Sequence, residues 1–171
     1  MQIQEAVELI TAAKPLIGEQ PMKWLELGAG GGTFTQALAQ ILPAGSTIYA
    51  TDLRPQRIPS TETVEVISQR LDFIEDDLPF KNIDGVLMAN SLHYVPQKSA
   101  FLQKLNPCFQ SARQLIIVEY DTQRGNSWVP YPISFSELEI QAKTWGFTHV
   151  MKLGERTSVY QNGKMYAAHI S

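Results

Sequence analysis

The sequence predicts an α/β protein built on a doubly wound, mostly parallel sheet. Strand-like and helix-like segments alternate from Lys23 onward, and the glycine-rich run Gly28–Gly32 joins the first strand directly to a helix. Near the other end, Asn162-Gly163 sits between two strand-like runs, which is a strong hairpin signal and predicts an antiparallel close. A chain of 171 residues suits one domain, read here as residues 1–171, with an N-terminal helix over 1–20 and a core over 23–171. With 44% hydrophobic and 18% charged residues, it can fill a core and does not have the composition of a disordered chain.

Taken in order, Ile3, Ala6, Val7, Ile10 and Ala13 recur at helical spacing up to Pro15. Lys23–Leu27 reads as a buried strand. After the glycines, Phe34, Ala37, Leu38, Ile41 and Leu42 mark a helix, opened by a Thr33/Gln36 capping box and followed by Pro43. Thr47–Thr51 is the second strand. Residues 52–63 contain Pro55 and Pro59 and are too broken for a full crossover helix. Val64–Ile67, Ile83–Ala89 and Leu115–Glu119 are further strands, with a helix over 97–105. Ser134 and Glu137 form a second capping box, with Gly146 at the far end of that helix. Val159–Gln161 and Lys164–Tyr166 flank the hairpin turn. Trp24 and Trp145 read as core residues.

Composition also narrows the function. A net charge of −3 supplies no field to attract nucleic acid, which is not indicated as a partner. The single cysteine, Cys108, and three scattered histidines give no metal-ligand pattern, so no metal is expected. Glu5 and Glu8 stand where a signal peptide would be basic, and no apolar run reaches a membrane span. The expectation is a cytoplasmic protein without a membrane partner.

Sheets of this kind bind ligands at the carboxyl ends of their strands. Glu26, Gly28, Gly30 and Gly32 fit E-x-G-x-G-x-G, while Thr33 occupies the place where the dinucleotide pattern G-x-G-x-x-G needs its third glycine. Asp52 follows at the end of the second strand, where a carboxylate can accept bonds from the two hydroxyls of a ribose; the other reading is a turn or cap aspartate. Asp72-Phe73 follows the third strand. Ile83–Val95 carries Asn90, His93 and Tyr94 at the end of the fourth, and Glu119-Tyr120-Asp121 ends the fifth. His93 reads either as a contact or general base for a second substrate, or as a loop histidine bonded to backbone. The segment after Asp121 carries Arg124, Trp128 and Tyr131. It reads as a wall for that substrate or as a surface loop in which Trp128 seals the sheet edge.

Together these motifs resemble the class I S-adenosylmethionine (SAM)-dependent methyltransferases, with Ile83–Val95 most similar to the small-molecule group that includes the ubiquinone- and menaquinone-pathway enzymes. The likeness runs over residues 23–171 and implies a seven-stranded Rossmann-like sheet. It implies cofactor contacts from Glu26, Gly28, Gly30, Gly32, Asp52, Leu53, Asp72, Phe73 and Asn90. It implies an acceptor site at Asp121, Arg124, Trp128 and Tyr131, with His93, Tyr94 and Glu119 as candidates for chemistry. The cofactor would be SAM, leaving as S-adenosylhomocysteine, and the acceptor an unidentified small molecule; a homodimer is left open. Cys108-Phe109 departs from the Gly-Gly expected before the fifth strand, and the short stretch after Asp52 departs from the usual helix. Two other classes fit parts of the pattern: a non-catalytic methyltransferase-like partner subunit, and a nicotinamide oxidoreductase, against which Thr33 and the terminal hairpin speak.

Overall fold

In the computed structural model, residues 1–110, 112–157 and 163–171 are described. Seven strands form one sheet in the order β3-β2-β1-β4-β5-β7-β6. These are β1 (Lys23–Leu27), β2 (Thr47–Asp52), β3 (Glu65–Arg70), β4 (Gly85–Ala89), β5 (Leu115–Tyr120), β6 (Val150–Thr157) and β7 (Lys164–Ile170). The pairs from β3 through β5 are parallel, whereas β7 runs antiparallel to both β5 and β6. The chain therefore winds outward from β1 to β3, then returns to lay β4 on the other side of β1. The reversal between β1 and β4 is the switch point at which such sheets open a crevice.

The central strands are buried on both faces, and alternate residues feed two cores. Leu25, Leu27, Val86, Met88, Leu115 and Ile117 pack with α4 (Lys98–Leu105) and α5 (Phe135–Thr144). Trp24, Ile48, Leu87, Ala89, Ile116 and Val118 pack with α1 (Ile3–Ile10) and α3 (Thr33–Ile41). Lys14–Ile17 adds a short helical turn, α2. Trp24 and Trp145 are both core residues, as expected.

No helix joins β2 to β3. Instead the coil runs beside β3, which is an edge strand: the Val66 amide donates to Ser60 Oγ (2.9 Å) and the Ile58 amide to Ser68 Oγ (3.1 Å). Those bonds shield an edge that would otherwise be open to pairing.

Helix α3 starts where the spacing predicts, but not through the Thr33/Gln36 box. Gly32, at φ +83°, is the N-cap, and Thr33 already has helical backbone. The Gln36 side chain reaches away instead, its Nε2 donating to the Pro59 carbonyl at 2.6 Å. The Ser134/Glu137 box does form on α5, and Gly146 follows the helix at φ +85°.

The antiparallel close runs over longer arms than the sequence marks, pairing β6 with β7 from Val150↔Ile170 to Thr157↔Lys164. Val159–Gln161 and Asn162 lie outside the described residues. A bulge between Lys152 and Gly154 lets α1 approach, since a Cβ on Gly154 would stand 2.8 Å from the Leu9 carbonyl oxygen.

Candidate active site

The carboxyl ends of β1, β2 and β4 converge on the glycine turn. The amides of Gly28 and Ala29 both donate to the Thr51 carbonyl at 2.9 Å, which fastens the turn to the last residues of β2. Two glycines are required sterically. A Cβ on Gly28 would meet Ser91 Cβ at 2.7 Å, and one on Gly32 would meet Ile58 at the same distance; both sit at positive φ. Above Gly30 and Gly31 an added Cβ would meet nothing within 4 Å, so this part of the turn faces open space.

Asp52 stands beside that space. Its Oδ2 accepts from the Gly30 amide and its Oδ1 from the Arg54 amide, both at 2.9 Å. Each oxygen keeps a further lone pair. Leu53, the next residue, is 53% exposed. Phe73 belongs to the core; it packs edge-on to Phe101 and reaches within 3.7 Å of the Cβ position at Gly28. Asp72 Oδ1 accepts from the Ile74 and Glu75 amides, so part of its carboxylate holds a local turn. Asn90 follows β4 directly, at φ +54°, and its Oδ1 is buried with no hydrogen-bond partner among the described residues. A buried acceptor without a partner is costly, and a ligand donor would satisfy it.

Glu26 lies beneath the turn and is fully buried. Thr35 Oγ1 donates to its Oε2 at 2.5 Å. Burial pushes the carboxyl up from 4.5 to about 7; the Thr35 bond opposes that shift and the Asp52 charge adds to it. The folded protein therefore holds this proton more tightly than the unfolded chain. Its contribution to stability is complete below about pH 4.5 and is lost as pH rises through about 7, an effect on the order of 3 kcal/mol. In unligated protein, the unfolding free energy should fall more between pH 5 and pH 8 for the wild type than for Glu26→Gln. Equal falls would show that Glu26 does not titrate in that window.

A second cluster lies at the ends of β4 and β5. Glu119 is buried on β5 and accepts twice from His93: the backbone amide donates to Oε1 at 3.0 Å, and Nδ1 lies 2.6 Å from Oε2. An ionised carboxylate only accepts, so Nδ1 is the donor of this pair, and in the neutral ring that leaves the lone pair on Nε2. His93 is 2% exposed, and its ring lies 4.4 Å from that of Tyr94 and 6.1 Å from that of Tyr120. Tyr94 itself is 44% exposed. The loop reading of His93 supposed a bond from the side chain to backbone; the ring is bonded to a carboxylate.

The segment after β5 folds back onto the same edge. The Tyr131 amide donates to the His93 carbonyl at 3.0 Å, and Asp121 Oδ1 accepts from the Phe135 amide at 2.9 Å. Tyr131 is 46% exposed and Trp128 78%, so neither ring is a core residue. Arg124 is exposed, with its amide bonded to Thr122 Oγ1.

Several positioning residues carry no mark in the sequence. Ser91 Oγ donates to the Leu27 carbonyl at 2.6 Å, tying β4 to the glycine turn. Lys98 Nζ donates to the carbonyls of Val95 (3.1 Å) and Tyr131 (2.7 Å), clamping the loop to the His93 turn. The bonds from Ser91 to Leu27 and from Lys98 to Tyr131 join residues distant in sequence, and a serine or lysine gives no local signal of such a partner.

Residues 25–110, half of the chain, match the family described as Methyltransferase domain. The chain belongs to that family. Solved structures share its fold at low identity. A SAM-dependent methyltransferase from Aquifex aeolicus aligns over 100% of both chains at 18% identity, with a TM-score of 0.61. The Burkholderia thailandensis 1,6-didemethyltoxoflavin-N1-methyltransferase, solved with bound 1,6-didemethyltoxoflavin and S-adenosylhomocysteine, aligns over 98% of this chain and 76% of its own at 17% identity and TM-score 0.64. Human N-acetylserotonin methyltransferase in complex with SAM aligns over 97% of this chain and 51% of its own at 16% identity and TM-score 0.67. No curated protein matches the sequence. The methyltransferase thus has a Rossmann-like seven-stranded sheet, with its glycine turn and its His93–Glu119 pair on one edge. Among the described residues, no helix is long and apolar enough to cross a membrane.

Proposed function

We propose that this methyltransferase binds SAM and transfers a methyl group to a small-molecule acceptor, with residues 1–171 acting as one domain. The observation that carries the reading is the shared edge: the glycine turn with Asp52 on one side of the switch point, the His93–Glu119 pair on the other. The donor set fits the cofactor. Asp52 has lone pairs for ribose hydroxyls, Leu53 offers an exposed apolar side chain, the turn is open over Gly30 and Gly31, and Asn90 Oδ1 awaits a donor. Asp72 and Phe73 would border the adenine, and Glu26 would support the turn from below. SAM, when bound, supplies an electrophilic methyl group.

The remaining work falls to the chain. Glu119 fixes the imidazole with its proton on Nδ1, so Nε2 can take a proton from an acceptor. Tyr94 packs against that ring. Trp128 and Tyr131 offer aromatic surface to an apolar acceptor, and Arg124 a charge to an anionic one. Holding the reactants in line is worth about 7–11 kcal/mol in well-aligned systems. The resemblance of Ile83–Val95 supports the small-molecule class of acceptor. The packing of Ala6, Leu9 and Ile10 of α1 into the sheet core supports the single domain.

Calorimetry with SAM, S-adenosylhomocysteine, NAD and NADP tests the proposal. The first two should bind and raise the melting temperature by mass action, and the nicotinamide cofactors should not. Binding of NAD or NADP without binding of SAM or S-adenosylhomocysteine would sink it.

A further inference from the structure

The sheet edge opposite the glycine turn holds a cavity with a buried imidazole in its wall. The cavity, of about 640 Å³, lies at the amino ends of β5 and β6 and the carboxyl end of β7. His149, Met151, His169, Gln114 and Arg113 are among the residues that line it. His169 is 5% exposed, and its Nε2 lies 3.0 Å from Gln114 Oε1. An amide oxygen only accepts, so Nε2 is the donor, and in the neutral ring the lone pair sits on Nδ1. Burial lowers the pKa of His169, which keeps the ring neutral at pH 7. Nδ1 makes no hydrogen bond among the described residues, yet it is not sealed from solvent. A histidine that ligates a metal is oriented in this way, with one ring nitrogen donating to a fixed oxygen and the other open.

Strand register brings two further donors to that face. The histidines are scattered in sequence, which is why the sequence alone predicts no metal. In the sheet, Met151 is the direct partner of His169 across β6 and β7. His149 exchanges two backbone bonds with Ser171, at 2.9 and 3.0 Å, and so stands one position pair further along the same ladder face. Residues two apart on a strand point to one face, so His149, Met151 and His169 project together. Cβ atoms lie about 5 Å apart in a direct pair and about 7–8 Å apart on a diagonal, spans that these side chains can close around one ion. His149 is exposed and Met151 is 45% exposed, so neither is locked in the core. Among the described residues no three His, Cys, Asp or Glu side chains gather as metal ligands; the third donor here is a thioether, and the set carries no negative charge. Arg113 adds a positive charge to the wall, its guanidinium held by Asn106 Oδ1 and the carbonyls of Trp145 and Gly146. A divalent ion would find no counter-charge in such a site. A soft monovalent ion needs less.

We propose that His149, Met151 and His169 form a binding site for a soft monovalent metal ion, Cu(I), on the sheet edge opposite the glycine turn. His169 offers Nδ1, Met151 its sulfur and His149 a ring nitrogen. Thioether ligands select Cu(I), and imidazole suits copper as well. Gln114 fixes the His169 ring through its other nitrogen. The site goes beyond the methyltransferase reading and stands without it, because it shares no residue with the glycine turn or the His93–Glu119 pair.

The test titrates Cu(I) into the full chain without oxygen, against a coloured Cu(I) chelator as competitor. Wild type should bind one ion. His169→Gln, His149→Gln and Met151→Leu should each weaken binding by about tenfold or more. Met151 is half exposed, so Met151→Leu keeps the proposal testable if His169→Gln folds poorly. Cys108, the chain's one thiol, is buried elsewhere, and Cys108→Ala should bind as wild type does. Zn(II) should bind wild type more weakly than Cu(I). Nitrogen NMR should show the His169 Nδ1 signal moving on addition of Cu(I) while Nε2 keeps its proton. The proposal fails if wild type does not compete for Cu(I), if Met151→Leu binds as tightly as wild type, or if binding is lost in Cys108→Ala. It fails equally if Zn(II) binds as tightly as Cu(I), or if Nε2 responds in place of Nδ1.

Discussion

Replacing Glu119 by Gln should lower methyl transfer by about 10²- to 10⁴-fold while leaving affinity for S-adenosylhomocysteine within about twofold of wild type. The argument is one of hydrogen-bond direction. Both oxygens of Glu119 accept from His93, one from the backbone amide and one from Nδ1. Glutamine offers one oxygen and one NH₂ group. If the oxygen keeps the backbone amide, the NH₂ faces Nδ1, which must become an acceptor, and the ring proton moves to Nε2. The nitrogen that should take the proton then already holds one. His93→Ala removes the base altogether and should cost as much or more. Methyl transfer is read with labelled SAM against an acceptor found by screening small molecules. The ring tautomer is read by nitrogen NMR, which should report the Nδ1–H form in wild type and the Nε2–H form in Glu119→Gln. Full activity in Glu119→Gln with the tautomer reversed would remove His93 from the chemistry.

Much of this was legible in the residues because the signals were local. The run from Lys23 to Leu42 writes strand, turn and helix in apolar periodicity and glycine spacing, and the structure follows it to within a residue. The Ser134/Glu137 box is likewise a contact within one turn of chain. The Thr33/Gln36 box failed for a reason that a pattern cannot express. Gly32 adopts the left-handed conformation and caps α3 one residue early, so Thr33 is already inside the helix. The arms of the final hairpin run longer than their propensity suggests because pairing with β5 and burial of β7 recruit Gly154, Ala167 and Ala168, none a strong strand former. In the site, the positions of Asp52 and His93 were readable from where strands end. Their partners were not: the bonds from Gly30 to Asp52, from His93 to Glu119 and from Lys98 to Tyr131 depend on how distant segments meet.

Asp52 carries the other large expected effect, and its own hydrogen bonds shape the test. In the unligated protein the carboxylate serves two amides, Gly30 through Oδ2 and Arg54 through Oδ1. Those bonds orient it and leave lone pairs for the two ribose hydroxyls. Hydrogen bonds to a charged acceptor contribute roughly 1.5–3 kcal/mol each. Asp52→Ala should therefore weaken S-adenosylhomocysteine binding by about tenfold to several hundredfold. It also frees the Gly30 and Arg54 amides, so part of any loss could come from a loosened turn. Asp52→Asn separates the two effects. The asparagine oxygen can still accept from one amide, but the charge is gone and its NH₂ meets the other. If ribose recognition dominates, Asn should fall close to Ala in affinity while melting near wild type. If turn geometry dominates, Asn should keep most of the affinity. Calorimetry and thermal melting on the three proteins decide the matter. An unchanged dissociation constant in Asp52→Ala would show that the carboxylate serves only Gly30 and Arg54, a turn residue with no part in holding the cofactor.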